Sequence, residues 1–306
     1  MKIPDNQLEF EKMFTKEEQC LEYLYRVRFP DGYICPKCDH TDCWVNSRGL
    51  IICRHCKYEL SITAGTIFHN TKLPLTTIFR ALWWIVAQKN GVSAVGLQRV
   101  LGLGSYRTAW TWLHKFRRLM VVPGREKLTG YVEIDETYVG GKSEGKRGRG
   151  AEGKSVVAIA VEVVGRGTGR VRLDIVPDAR KKTLFAFIQD NVESGSTITT
   201  DDWRGYKGIN LKGYDHKVEI MKVKSGDDEL LANVHCVASL LKRWLIGTHQ
   251  NYIGGENLQY YLDEYTFRYN RRKSKSRGLL FYRLIQQAVV HSPVPYKKII
   301  YSSVNV

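Results

Sequence analysis

The chain has 306 residues, long for one compact domain and suited to two or three. An apolar fraction of 43%, with seven Trp and 17 Tyr, excludes a chain too polar to bury a core. The 47 Lys and Arg outweigh 31 Asp and Glu by +16 and are spread over every region, which points to a polyanion bound along a long track and away from a single docking patch. No run of about 18 apolar residues is present, and the opening MKIPDNQLEFEKMF carries acids where a signal peptide needs a basic end and an apolar run, so a cytoplasmic protein with no membrane partner is expected.

The pattern in chain order predicts a helix over 8–28, with Leu8, Phe10, Phe14, Cys20, Leu21, Leu24 and Tyr25 as its apolar positions. From Gly32 to Ile62 the periodicity changes to short strand-like runs at 43–45, 50–53 and 58–62. Cys35-Pro-Lys-Cys38 and Cys53-Arg-His-Cys56 punctuate this ribbon, with 14 residues between the pairs. Four thiolates at that spacing can converge tetrahedrally on one structural Zn²⁺, whose binding would supply much of the folding free energy of so small a unit. His55 competes with Cys56 as fourth ligand; the regular knuckle favours Cys56. Four cysteines close the coordination shell, which argues against catalytic zinc. Cys20, Cys43 and Cys236 have no partner pair and are expected as small core residues.

Three helices follow. The first spans Leu75–Gln88; the second starts at the N-cap candidate Ser93 and ends at Gly102; the third starts at Ser105 and runs to about Met120. In the third, Ala109, Trp112, Leu113, Phe116 and Met120 form a buried stripe, and Arg107, Thr108, Thr111, His114, Lys115 and Arg118 form an exposed edge. That edge suits a major groove, as in a helix-turn-helix; a three-helix packing unit with a basic solvated face accounts for it as well.

After Pro123-Gly124 the chain turns β-branched. Strands are predicted at 131–138, 155–164, 170–176, 196–200 and 217–221, with helices at 181–193 and 228–246, an α/β sheet that mixes hairpin strands with crossovers. Helices at about 256–269 and 278–290 finish the chain. The segments group as an amino-terminal helix (1–30), a zinc ribbon (31–66), a helical segment (67–122), an α/β domain (128–250) and carboxy-terminal helices (251–306).

Two acids stand out in the α/β domain. Asp135 lies within a β-branched strand, where a carboxylate needs a cation or a metal, although strand-end Asp residues also cap turns. Asp201 and Asp202 follow a short strand and compete for a second metal-ligand role; an N-cap role is the alternative, and the position directly after the strand favours Asp201.

The knuckles, Thr63-Ala-Gly-Thr-Ile-Phe68, Asp135-Glu-Thr-Tyr-Val-Gly-Gly141, Thr200-Asp201, Leu240-Leu-Lys242-Arg243, Gly247-Thr-His249 and Tyr261-Leu-Asp-Glu-Tyr-Thr-Phe-Arg-Tyr-Asn-Arg271 together resemble bacterial insertion-sequence DDE transposases of the Merlin-like superfamily, over nearly the whole chain. The resemblance implies a ribonuclease-H-like catalytic domain, Mg²⁺ or Mn²⁺, and double-stranded DNA as partner, both terminal inverted repeats and target. It puts the first two acids on Asp135 and Asp201. Anchored on the basic Lys242, it puts the third site on His235, where the family usually carries Glu and sometimes Asn. Asp135 would bridge two cations, Asp201 and His235 would each hold one, Lys242 would meet a DNA phosphate, and Glu136 would support them from behind. A neutral imidazole favours Mn²⁺ over Mg²⁺ in such a set. The basic runs Lys142–Lys154, with Lys146, Arg147 and Arg149, and Arg268–Arg277, with Arg271 and Arg272, join Arg243 as DNA-backbone contacts; solvated linkers are the plainer reading of both runs. The resemblance also implies a nucleoid-associated protein working as a homodimer or larger assembly that holds two DNA ends.

Overall fold

The computed structural model describes residues 2–46, 48–122, 124–140, 154–219, 231–250 and 257–300. They form two compact units, 2–120 with 274–300, and 121–273.

The first unit opens with α1 (Gln7–Met13) and α2 (Glu17–Arg28) where one helix over 8–28 was predicted. The break has a local cause. Gln19 Oε1 accepts from the Thr15 and Lys16 backbone N–H groups and from the Thr15 hydroxyl at 2.8–2.9 Å, which starts a new helix at that point. Phe14 is then freed from helical geometry and packs with Phe10, Tyr23, Phe79 and Phe281 in an aromatic core. That core is closed by α3 (Leu75–Ala87), whose Trp83 stacks on Phe10 at 4.7 Å, and by α9 (Arg277–Val290). Pro74 cannot cap α3 with a side chain, and the Glu17 carboxylate accepts from Leu75 and Thr76 N–H in its place.

Between α2 and α3 lies a three-stranded antiparallel ribbon of β1 (Cys43–Val45), β2 (Leu50–Cys53) and β3 (Glu59–Ser61). After α3 come α4 (Ala94–Leu101) and α5 (Tyr106–Arg117). Ser93 caps α4 by accepting from Gly96 N–H, and Gly102 ends it in the left-handed conformation that glycine adopts without strain. The short α10 (Tyr296–Ile300) rests on α5.

The second unit is a five-stranded sheet with helices on both faces. Strands β4 (Tyr131–Val139), β5 (Ser155–Val164) and β6 (Gly167–Val176) form an antiparallel meander; α6 (Lys181–Asn191) crosses to β7 (Thr197–Thr200), which pairs parallel to β4, and β8 (Asp215–Val218) adds parallel to β7. The order is β6-β5-β4-β7-β8. The last strand begins at Asp215, two residues before its predicted start, because Gly213 ends the preceding turn and Asp215 registers with Thr197. The predicted end of that strand, at 220 and 221, and the predicted start of the next helix, 228–230, lie outside the described residues.

Alternation along β4 serves the two faces. Val132 and Ile134 join Leu184, Ile188 and Ile198 beneath α6, while Val139 joins Val157, Ile159 and Leu173 beneath α7 (Ala232–His249) and α8 (Leu258–Asn270). Strand β6 is a sheet edge, and α8 occupies its open hydrogen-bonding groups. Gln259 accepts from Ile175 N–H and donates to Leu173 O, and Asn270 accepts from Val171 N–H and donates to Val171 O. The carboxy-terminal stretch expected as one segment over 251–306 has α8 in the second unit and α9 and α10 in the first.

Candidate metal centre and active site

In the ribbon, two knuckles repeat one backbone design. Asp39 N–H donates to Cys35 O at 2.9 Å and Lys57 N–H to Cys53 O at 3.1 Å; Cys35 N–H donates to His40 O and Cys53 N–H to Tyr58 O. The residue after each second cysteine, Asp39 and Lys57, has a left-handed φ of 59° and 57°. These turns bring the four sulfurs within 4.8 Å of one another, with Cys35–Cys56 at 3.5 Å and Cys38–Cys53 at 3.6 Å. A tetrahedral zinc with bonds of about 2.3 Å requires sulfurs about 3.8 Å apart, so the donor set fits the ion in kind and in size. Burial opposes ionisation of Cys35, but N–H groups of Lys37 and Cys38 and the neighbouring Cys56 and Tyr33 bring it down to about 6. The four-sulfur cluster takes Cys56 as its fourth member and leaves out His55, which stacks on His40 at 3.8 Å and forms with His40 and Cys38 a second group whose ligand atoms also lie within 4.8 Å of one another.

The second constellation is built on β4. Its parallel register with β7 pairs Glu133 with Thr199, and Asp201, directly after the end of β7, lies near enough for its charge to act on Asp135. The first turns of α7 cross the same face and place His235 Nε2 3.3 Å from Asp135 Oδ2. Burial, with the charges of Glu136 and Asp201, pushes the Asp135 carboxyl up to about 6 against the pull of the Glu136 N–H and of His235. An open cleft of about 390 Å³ is lined by Asp135, Glu136, Thr137, His235, Ser239 and Lys242, the last two turns along α7 from His235; Asp201 stands outside this lining, at the end of β7. Asp202 is exposed, while Asp201 is half-buried and accepts from Trp203 N–H at 3.0 Å.

The model of the ISXO2-like transposase domain, a DDE domain of the IS1595 insertion-sequence family, matches residues 127–270, and that of the transposase zinc-ribbon domain matches residues 15–59. The chain belongs to the insertion-sequence DDE transposases. No curated protein matches it. The ribbon match contains all four clustered cysteines of the transposase, which makes its zinc structural, and the DDE match contains Asp135, Asp201 and His235. No helix is long and apolar enough to cross a membrane among the described residues.

Other residues of the transposase fall less simply. On α5 the expected stripe is buried, but His114, expected on the exposed edge, is fully buried as well. Trp110 lies against its ring at 4.1 Å, and Tyr296 of α10 packs edge-on near Trp110 at 6.3 Å, a long-range contact that helical periodicity does not reveal. Arg107 is exposed and stacks on Tyr296 at 3.7 Å; Thr111 is half-exposed and donates to Arg107 O. Arg118 is half-buried, and Lys115 points inward, over Trp112 and toward Ile67 O, so that burial lowers its pKa. Arg243 is exposed on α7. Arg271 lies over Phe267, and Arg272 lies over Tyr269 while donating to Gly169 O, Thr168 O and Thr168 Oγ1. Lys146, Arg147 and Arg149 lie outside the described residues. Cys236, expected in the core, is exposed, because the buried stripe of α7 runs through Val234, Val237, Leu241 and Leu245.

Three residues with clear roles at the site escaped sequence reasoning. Tyr206 donates to Glu136 Oε2 at 2.6 Å and ties the segment after Asp201 to β4. Glu133, two residues before Asp135, accepts from Val234 N–H and from Asn233 Nδ2 at the start of α7. Alternation along β4 puts Glu133 and Asp135 on one face, which is a usable signal; nothing local in the sequence points to Asn233 or Tyr206 as partners.

Proposed function

We propose that this transposase binds terminal inverted-repeat DNA and carries out metal-dependent phosphodiester cleavage and strand transfer, with the second unit as a ribonuclease-H-like domain and α4–α5 as a helix-turn-helix. The observation that carries this reading is the contact of His235 with Asp135, with Asp201 directly after the neighbouring strand and Lys242 in the same cleft. A meander of three antiparallel strands followed by a crossover to parallel strands supports the fold assignment.

Asp135 and Asp201 offer hard oxygen ligands and His235 a neutral nitrogen, a set suited to Mg²⁺ or, better, Mn²⁺. Divalent cations held there supply Lewis-acid activation of the attacking oxygen and charge neutralisation at the leaving one. Asp135, Asp201 and His235 would hold such cations, with Asp135 within hydrogen-bond reach of His235. Lys242 meets a phosphate at the mouth of the cleft, and Glu136, held by Tyr206, keeps the strand and the segment after Asp201 in place. In the first unit Arg107, Thr111 and Arg118 serve as DNA contacts, while Lys115 points inward and does not; in the second, Arg243, Arg271 and Arg272 do so, with Lys146, Arg147 and Arg149 as further backbone contacts. Two DNA ends must meet for strand transfer, so the working form is at least a homodimer, acting in the cytoplasm on nucleoid DNA.

The test is purified protein with labelled terminal-repeat DNA. Nicking is expected with Mn²⁺ at least as fast as with Mg²⁺, and Asp135→Asn should abolish nicking while leaving binding intact; surviving activity removes Asp135 from the mechanism. The imidazole at the third position supports a second reading, a transposase-derived DNA-binding protein that has lost catalysis, and binding without nicking in either ion would establish it.

A further inference from the structure

Helix α7 begins without a cap of its own. Its N-cap residue, Leu231, offers no side-chain acceptor and sits at φ 51° and ψ 44°, a left-handed conformation that costs a branched residue about 1–2 kcal/mol. Its side chain is nevertheless 2% exposed, pinned in the core under the sheet. Two of the helix's amino-terminal N–H groups, those of Leu231 and Val234, are satisfied from the sheet instead. Glu219, just past β8, accepts from Leu231 N–H at 3.1 Å, and Glu133 on β4 accepts from Val234 N–H at 2.9 Å and Asn233 Nδ2 at 2.7 Å. A serine or aspartate at position 231 would cap the helix locally; a carboxylate on β4 does something a local cap cannot, because it fixes the helix start to the strand that carries Asp135. Val234 directly precedes His235, and Glu133 stands one side-chain repeat from Asp135 on the same face.

We infer that Glu133 is a positioning residue, whose double hydrogen bond to Asn233 and Val234 sets the distance between His235 and Asp135 and so the geometry offered to a divalent ion. The metal half of this inference rests on the functional reading above; the distance half does not. Glu133 itself has its oxygens engaged by α7 and is not assigned as a ligand.

The experiment uses the full chain with Mn²⁺ as probe, its free concentration read by electron paramagnetic resonance, and crystal structures of the ion-free variants. Glu133→Ala should weaken Mn²⁺ binding by about tenfold or more, the usual scale for a group that orients a ligand, with Glu133→Gln recovering most of it and Asn233→Ala losing a few-fold. In a His235→Ala background, Glu133→Ala should cost nothing further; an equal loss in both backgrounds overturns the inference, since Glu133 would then act independently of His235. Without the ion, Glu133→Ala should move His235 Nε2 away from its 3.3 Å contact with Asp135 by about 1 Å or more, while Asn233→Ala, which keeps the backbone bond and the fold, should move it less. An unchanged contact in Glu133→Ala overturns the inference whatever the ion does. Absence of Mn²⁺ binding by the wild-type protein would instead overturn the metal site, and the ion-free distances would then decide the role of Glu133 alone.

Discussion

The ribbon and the five-stranded sheet are both antiparallel at their core, yet order reaches them from different sources. Among the strand positions of the ribbon, β1 and β3 have none buried, and Ile51, Ile52 and Cys53 of β2 are the ones withdrawn from water. What organises it is the pair of knuckles and the four sulfurs at zinc spacing. In the sheet, β4 and β5 bury both faces, under α6 on one side and under α7 and α8 on the other. Local chemistry can therefore stand in for burial when a unit is too small to build a core, and burial frees the larger unit to carry polar groups such as Asp135 and Glu133 at a cost it can absorb.

The sharpest way to break that comparison is Cys35→Ser. It should forfeit most of the roughly 10 kcal/mol that a structural zinc contributes to a small ribbon, reduce the zinc content of the chain and abolish hydrogen-exchange protection around 33–61 while sparing 131–200. Unchanged zinc content would sink the four-cysteine assignment. The converse variant, Ile134→Ala, removes a side chain with no exposure and should lower the stability of the sheet by about 2–5 kcal/mol in urea unfolding, with zinc retained. Loss of zinc along with the sheet would mean that the two regions do not fold independently.

A smaller effect comes from Asp263 on α8. Burial, with Asp174 nearby, raises its carboxyl from 3.8 to about 6 against the hydrogen bond from Gln259 and the charge of Arg125. A folded-state pKa above the unfolded one contributes stability that is complete below the unfolded value and lost as pH rises through about 6. Asp263→Asn should thus match the wild type below about pH 4 and exceed it above about pH 6, by something on the order of 1 kcal/mol. A pH-independent difference would show that the carboxyl is not titrating in that window. Smallest of all, Asp39→Gly should relieve the left-handed strain of the first knuckle and tighten zinc retention against a chelator by about fivefold, near 1 kcal/mol; a looser ribbon would mean the aspartate side chain contributes more than its backbone costs.

What could be read in the sequence follows the same division. The cysteine pairs, the Ser93 cap and the Gly102 stop are local signals, spelled out within a few residues, and each falls in the structure where its spacing puts it. The strands and helices around the sheet are legible from periodicity, with errors where a side chain such as Gln19 restarts a helix or where Trp110 and its surroundings bury His114. Asp135 and Asp201 were visible as acids at strand positions, but their alignment depends on the β4–β7 register, a pairing across more than sixty residues. His235 came through resemblance, since no pattern marks an imidazole on a helix as the neighbour of an acid 100 residues earlier. The partnership of Glu133 with Asn233 and Val234 spans the same distance and left no local trace.

The amides of Gln259 and Asn270 along β6 carry a consequence for assembly. An edge whose donors and acceptors are already engaged by its own chain offers no template on which a neighbouring protomer could extend the sheet. An assembly of copies, if the protein forms one, would meet through helices or loops on that side, since a continuous intermolecular sheet through β6 would require α8 to let go first.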